Sequence, residues 1–290
     1  MKRRSVLATI SLGALGMSGL ASVSQALANQ KRRDERMPVV FVGHGSPMNA
    51  IEDNRWSRAW TEVGATLQRP SAILCVSAHW ETKGVMVTAM DRPQTIHDFY
   101  GFPDALQNKL YPAPGAPALA KATSEQIKKA TVGLDYAWGL DHGTWSVLVK
   151  MYPRADIPVL QLSLDATRAP GWHYELGAEL KALRDRGVLI MGSGNIVHNL
   201  RRLSRQRPDA GFDWAIEFDT KIKELIDKGD HRGIVEYPKL GQAAQLSVPT
   251  NEHYLPLLYA LAAKDEKDPV TYFNDATTMG GISMRSLIIG

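Results

Sequence analysis

Val39-Val40-Phe41-Val42-Gly43-His44-Gly45-Ser46 runs four consecutive apolar side chains into a glycine turn that carries a histidine. A continuous apolar run of this kind, bounded by Gly or Ser, suits a strand buried on both faces of a parallel sheet. The pattern returns along the chain. Ile73-Leu74-Cys75-Val76 leads through Ser77-Ala78 to His79-Trp80, and Val188-Leu189-Ile190-Met191 leads through Gly192-Ser193-Gly194-Asn195 to His198. Asn251-Glu252-His253-Tyr254-Leu255-Pro256 reverses the order, with the histidine ahead of the apolar residues. In open α/β sheets, ligands bind outside the carboxyl ends of such strands. Histidines placed there converge on one crevice, and several neutral imidazoles in one crevice make a metal site.

Working outward, short apolar runs at 38–43, 71–77, 84–89, 157–162, 187–192 and 282–288 read as strands. Amphipathic stretches at 54–67, 116–130, 144–151, 172–186, 213–228 and 253–264 read as helices. In 172–186, Trp172, Leu176, Leu180 and Leu183 recur at spacings of three and four while Glu175, Glu179, Lys181 and Asp185 face out, and Gly187 supplies the stop. The alternation predicts an α/β fold, a single domain with a central, largely parallel or mixed sheet flanked by helices. Pro-rich 111–117 reads as an extended turn segment able to shape a cleft wall, and arginine-rich 201–211 as an exposed loop.

The chain has 290 residues, of which 44% are hydrophobic, 22% charged and 8% aromatic, a globular composition. Lys2-Arg3-Arg4, the weakly apolar Ser5–Ala21 stretch and Ala26-Leu27-Ala28 together have the form of a twin-arginine export signal. We therefore expect 1–28 to be a cleaved leader, 29–36 a disordered linker and 37–290 the catalytic domain, with a periplasmic or exported product and no membrane anchor after cleavage. The formal charge of +4 includes three basic residues and no acid from that leader, so the mature chain is nearly neutral. No basic stripe with interleaved aromatics remains, which argues against nucleic-acid binding. Cys75 is the single cysteine and lies within an apolar run, so no intramolecular disulfide forms and a buried thiol is expected.

Each histidine then has a local reading. His44 sits on a tight turn between glycines, with Pro47 forbidding a continued strand. His142, in Asp141-His142-Gly143-Thr144, has Asp141 beside it either as a helix N-cap or as a carboxylate partner for the ring. Asn195 reads as the cap of a short helix presenting His198 from its first turn. His253 opens the 253–264 helix, whose dipole disfavours the charged imidazole, and Glu252 is the competing ligand. Ser46, His97 and Trp80 are candidate substrate contacts, with Phe99, Tyr100 and Trp145 as further aromatic wall. His173 and His231 have ordinary readings within a helix and a charged loop. No GxSxG elbow, HExxH helix or CxxC pair occurs, and Gly192-Ser193-Gly194 lacks both the P-loop lysine and the GxGxxG spacing.

GHGSPMNAIEDN (43–54), SAHW (77–80), TIHDFYGFP (95–103), YPAPGAP (111–117), DHGTWSVL (141–148), SGNIVHNL (193–200) and NEHYLPLLY (251–259) together resemble the class III extradiol ring-cleavage dioxygenases related to protocatechuate 4,5-dioxygenase. They are most similar to the DOPA 4,5-dioxygenase branch. The resemblance runs in family order over nearly all of 37–290; the leader departs from the family's usual cytoplasmic form. It implies an α/β fold that holds one non-haem ferrous ion and takes a small catechol and dioxygen as substrates. His44 and His79 match metal-binding histidines, and His253 falls in the motif supplying a further ligand. His198 matches a position that is metal-bound in the branch and acid/base in more distant relatives, and His142 matches a proton-handling histidine. Zinc is expected to occupy such a nitrogen-rich site in purified protein. Two rivals use the same residues: a hydrolase built on zinc-activated water, and a non-catalytic exported metal- or ligand-binding protein.

Overall fold

The computed structural model describes residues 36–290. The anticipated leader, and all of the anticipated linker except Arg36, lie outside the described residues. Arg36 is pinned: its Nη2 donates to the Lys181 carbonyl at 3.1 Å, its Nε lies 2.9 Å from Asp185 Oδ1, and its Nη1 pairs with Asp265.

Eight strands form one sheet: β1 (Val39–Gly43), β2 (Ala72–Thr82), β3 (Val85–Thr88), β4 (Val132–Asp135), β5 (Val159–Asp165), β6 (Val188–Gly194), β7 (Val270–Phe273) and β8 (Ser286–Ile289). Their order across the sheet is β4-β3-β5-β2-β6-β1-β8-β7. The four central strands β5, β2, β6 and β1 are mutually parallel, while β8 and β7 add antiparallel on one side and β3 meets β5 antiparallel on the other. The sheet is therefore mixed, with its parallel part where the histidine-bearing runs were read.

Those runs are apolar at every position because both faces are covered. Phe41, Leu74, Val76 and Ile190 pack beneath α4 (Pro170–Glu179), α5 (Asp213–Asp227) and α6 (Leu255–Ala262). The alternate residues Val40, Val42, Ile73, Cys75 and Met191 pack beneath α1 (Arg55–Thr66) and α3 (His142–Met151). α2 (Pro117–Gln126) lies over the β3–β4 side, against the first of these layers. Each fully buried aliphatic side chain contributes about 1.5–3 kcal/mol, so two dry layers hold the central strands rigidly. Cys75 is buried, as expected, and accepts from Thr144 Oγ1 at 3.2 Å.

Several boundaries differ from the sequence reading. The 172–186 helix ends at Glu179 and tightens into a 3-10 segment, Lys181–Arg186, because Leu180 and Leu183 are three apart and suit a three-residue turn. Gly187 then stops it in the left-handed region at φ 76°. The 282–288 run is broken: only Ser286–Ile289 joins the main sheet, while Ile282–Ser283 pairs with Thr277–Thr278. Arg285 supplies the interruption, turning to a buried ion pair with Asp219 at 2.6 Å. Strands β4 and β7 were not anticipated; they are short, half-buried edge strands with no long apolar run to announce them.

Candidate metal centre

The parallel register brings the first two histidines together. Val42 of β1 and Ser77 of β2 both align with Ser193 of β6, the strand between them. His44 and His79 each lie two residues beyond that row, His44 in the turn after β1 and His79 where β2 shifts register against β5, and both emerge at the same edge of the sheet. Their Nε2 atoms are 3.1 Å apart. The turn before α6 brings His253 over the same edge, its ring centroid 5.3 Å from that of His44 and 4.9 Å from that of His79. His142, first residue of α3, closes the other side with its centroid 3.9 Å from His79. His198 lies flat against His253, centroids 3.4 Å apart and planes 10° apart. Donor atoms of His44, His79 and His142 lie within 4.8 Å of one another, as do those of His198, Glu252 and His253, and the His253 ring joins the two groups.

The hydrogen bonds fix which nitrogen of each ring is bare. Ser193 Oγ spends its only proton on the Gly143 carbonyl at 2.5 Å, so at 2.9 Å from His44 Nδ1 it accepts. The Glu252 carboxylate likewise accepts from His253 Nδ1 at 2.9 Å, and Asp98 Oδ2 stands 3.4 Å from His79 Nδ1. These partners put the proton on Nδ1 of His44 and His253 and turn their Nε2 lone pairs inward, and the Asp98 carboxylate favours the same tautomer of His79. His253 Nε2 is buried with no hydrogen-bond partner. With metal–imidazole bonds of ~2.0–2.1 Å, two ligands on one tetrahedral or octahedral ion stand about 2.9–3.4 Å apart. The bare His44 and His79 nitrogens already have that spacing, and such outer partners are what orient metal-binding histidines. The donor set fits a divalent first-row ion.

Electrostatics agree. Burial, with the neighbouring imidazoles second, holds His44 well below the ordinary histidine range. His253 is shifted the same way for the same two reasons. Burial takes His79 down to about 3 and His198 to about 4. Every one of these rings stays neutral at pH 7, as a metal ligand must.

Of the two readings of Asp141 the N-cap stands, and the helical readings of His198 and His253 need correction. Asp141 is not the ring partner of His142; it caps α3 through Thr144 N at 3.1 Å and accepts from Ser77 Oγ at 2.7 Å and Gln161 Nε2 at 2.6 Å. The carboxylate facing His142 is Asp98, from a loop some forty residues earlier, and its neighbour His97 drew attention instead. Nor do helices present His198 and His253. His198 forms an isolated bridge with Ile282 ahead of a 3-10 turn at Leu200–Arg202, while Asn195 spends its side chain on the Gly45 amide at 3.4 Å and the Ser283 carbonyl at 2.8 Å. His253 lies in the turn before α6, which begins at Leu255, so burial and neighbouring rings, not a helix dipole, keep it neutral.

Among the candidate substrate contacts, Ser46 is exposed just beyond His44 and caps a 3-10 turn through Met48 N at 3.2 Å. His97 Nε2 lies 2.9 Å from the Lys109 carbonyl, and its ring meets Phe99 and Trp145. The structure does not bring Trp80 to the imidazoles; its ring stacks on Trp138 at 5.7 Å. Phe99 does reach them, edge-on to His142 at 5.6 Å, whereas Tyr100 is 93% exposed and Trp145 is core, its Nε1 donating to the Ile96 carbonyl at 2.8 Å. Sequence reasoning passed over Gly143. A Cβ there would meet Ser77 Oγ at 2.6 Å and His79 Cδ2 at 2.9 Å, so glycine lets α3 start against the His79 ring.

Residues 38–285 match the family of the catalytic LigB subunit of aromatic ring-opening dioxygenase. The chain belongs to that family. It is 50% identical over 259 residues to a 4,5-DOPA dioxygenase extradiol of Escherichia coli K12, covering 88% of this chain and 95% of that one. It is 37% identical over 256 residues to a protein of the same description from Beta vulgaris, covering 85% and 94%. A crystal structure of an uncharacterised protein from Escherichia coli K12 superposes with a TM-score of 0.77 at 45% identity, over 88% of this chain and all of that one. The chain is thus a metal-dependent extradiol ring-cleavage dioxygenase of the DOPA 4,5-dioxygenase branch, and its mixed α/β sheet is the family's.

The buried histidines also make the metal-free protein acid-sensitive. His173, sealed between α4 and α6 with Nδ1 3.0 Å from Tyr259 Oη, is lowered by burial to about 4. Unfolding restores ordinary histidines near pH 6.5. Between about pH 6.5 and 4 the unfolded chain therefore binds more protons, and stability falls as pH falls. The urea midpoint of metal-free protein should drop steadily over that window, each such group contributing up to about 1.4 kcal/mol per pH unit; a flat midpoint refutes the assignment.

Proposed function

We propose that this protein opens a catechol ring beside one hydroxyl with dioxygen, giving a semialdehyde, on a ferrous ion held by His44, His79 and His253. The inward lone pairs of those three rings carry the reading. A DOPA-like catecholic acid is the substrate class, supported by the 4,5-DOPA dioxygenase relatives that share half or more than a third of its residues. When bound, ferrous iron supplies Lewis acidity, as zinc does, and the one-electron chemistry that dioxygen requires, which zinc lacks. Zinc nevertheless competes for nitrogen-rich sites, so protein purified without care carries zinc and is silent.

The chain's own residues supply the proton traffic. A catechol must lose a proton before it can chelate, which needs a base within hydrogen-bond reach. His142, with Nδ1 turned to Asp98, has Nε2 left to take that proton from one hydroxyl and return it as the ring opens. His198 is the second proton handler. Its ring stacks on that of His253, centroids 3.4 Å apart, which sets it beside the ion that His44, His79 and His253 would hold. Ser46 and Phe99 flank the catechol. The Lys2-Arg3-Arg4 leader supports export to the periplasm with metal already loaded, which fractionation of tagged full-length protein tests.

The decisive experiment loads metal-free protein anaerobically with ferrous iron or zinc and follows oxygen uptake and yellow ring-fission absorbance over a catechol panel. Uptake with iron and none with zinc is expected. No uptake on any catechol, or hydrolysis with zinc, overturns the reading. In the same assay His142→Ala should keep its iron while ring cleavage falls ~10²–10⁴-fold; lost iron would reassign His142 as a ligand.

A further inference from the structure

We propose that Asp98 is a positioning residue that holds a proton-handling ring and a metal-binding ring in register, through one carboxylate. Its Oδ2 lies 2.9 Å from His142 Nδ1 and 3.4 Å from His79 Nδ1, and its Oδ1 accepts from the His142 backbone N–H at 2.9 Å. The carboxylate thus grips α3 at its first residue and reaches across to β2. Its approach to His142 Nδ1 lies off the ring's N–H axis, so the attraction is electrostatic more than directional. The inference rests on the proposed roles of His142 and His79.

Three observations argue that Asp98 is built for this task. The two residues before it are anchored: Ile96 N donates to the Leu140 carbonyl at 2.8 Å, and His97 Nε2 meets the Lys109 carbonyl. Asp98 is half-buried, with one carboxylate oxygen turned to both rings. The other carboxylate nearby, Asp141, is wholly engaged by Ser77, Gln161 and the α3 cap, so it offers His142 no substitute. Without the Asp98 anion, nothing on that side selects the Nδ1–H tautomer of His142, and the ring would place its proton on either nitrogen. A ring protonated on Nε2 in its neutral form has no lone pair for the catechol hydroxyl. Because the same oxygen faces His79, the loss also loosens a ligand.

Asp98→Asn tests this with nearly unchanged shape, since the amide oxygen still accepts from His142 N. Metal-free and zinc-loaded proteins are labelled with ¹⁵N-histidine, and two-bond proton–nitrogen spectra read each ring's tautomer. Wild type should show His142 as the Nδ1–H form; the variant should show a mixture or the Nε2–H form. Zinc affinity should fall ~10–100-fold, as for other outer partners. On the iron enzyme kcat should fall ~10²–10⁴-fold, with KM changed by less than tenfold. Asp98→Glu, which restores the charge on a longer arm, should recover the tautomer and part of kcat. A variant with wild-type tautomer, zinc affinity and kcat overturns the proposal. If wild-type protein lacks oxygenase activity, the tautomer and affinity measurements still decide the role of Asp98. A variant that fails to fold by circular dichroism would instead make Asp98 a structural element and equally overturn it, with Asp98→Glu as the check.

Discussion

His44→Ala should leave a folded protein that neither retains metal nor consumes oxygen. The ring contributes one of three inward lone pairs, and its Nε2 stands 3.1 Å from that of His79, so two ligands lose their common partner together. Losing an outer partner of a ligand typically costs ~10–100-fold in affinity, and losing the ligand itself costs more. The fold should persist, because the metal-free centre gathers imidazoles that burial keeps neutral and that repel once protonated. Removing one should slightly flatten the acid sensitivity described above. Metal content after dialysis, with the urea midpoint at pH 7 and pH 5, checks both halves. A variant that keeps stoichiometric metal removes His44 from the ligand set, and one that unfolds at pH 7 makes its role structural.

Gly194→Ala should be nearly as damaging although it deletes nothing. Gly194 ends β6 directly beneath the turn that carries His253, and an added Cβ would collide with the His253 carbonyl oxygen and lie 3.2 Å from Pro256 Cγ. That carbonyl has no room to retreat, since it accepts from Asn195 N at 2.8 Å. Overpacking of this sort costs ~1–3 kcal/mol; a loss near the upper end corresponds to a fall of about 5–10 °C in Tm for a domain of this size. The larger effect is on the site, because the displaced element is the one that aims His253 Nε2. Calorimetry and zinc titration together test it: unchanged Tm and unchanged affinity would mean that the turn yields without cost.

The two predictions differ in how far the sequence foresaw them. His44 was readable at once, because a histidine between glycines after four apolar residues is a local signal. His79 was readable from the apolar run alone, which ends two residues before it at Ser77. Gly194 lies inside the SGNIVHNL stretch at 193–200, but its reason is a carbonyl about sixty residues away that no local pattern reveals. Asp98 was passed over for the adjacent His97 because its partners come from β2 and α3. Trp80 was drawn to the site by its proximity to His79 in sequence, yet adjacent strand positions face opposite ways, and it stacks on Trp138 instead. Edge strands β4 and β7 escaped notice because half-buried pairing needs no apolar run.

Local necessities are legible in the chain alone: buried central strands, amphipathic helices, glycine turns at strand ends and the histidines those turns carry. Apolar periodicity is written into neighbouring residues, so it survives without a fold. What only the tertiary structure decided is mutual geometry. Register aligned Ser193 with both Val42 and Ser77 and so brought His44 against His79, and packing chose Asp98 over Asp141 as the partner of His142. Tautomers, too, were set by partners far along the chain, such as the Ser193 hydroxyl bound to the Gly143 carbonyl. Those relations are distances between elements, and distances between elements exist only once a core has closed around them.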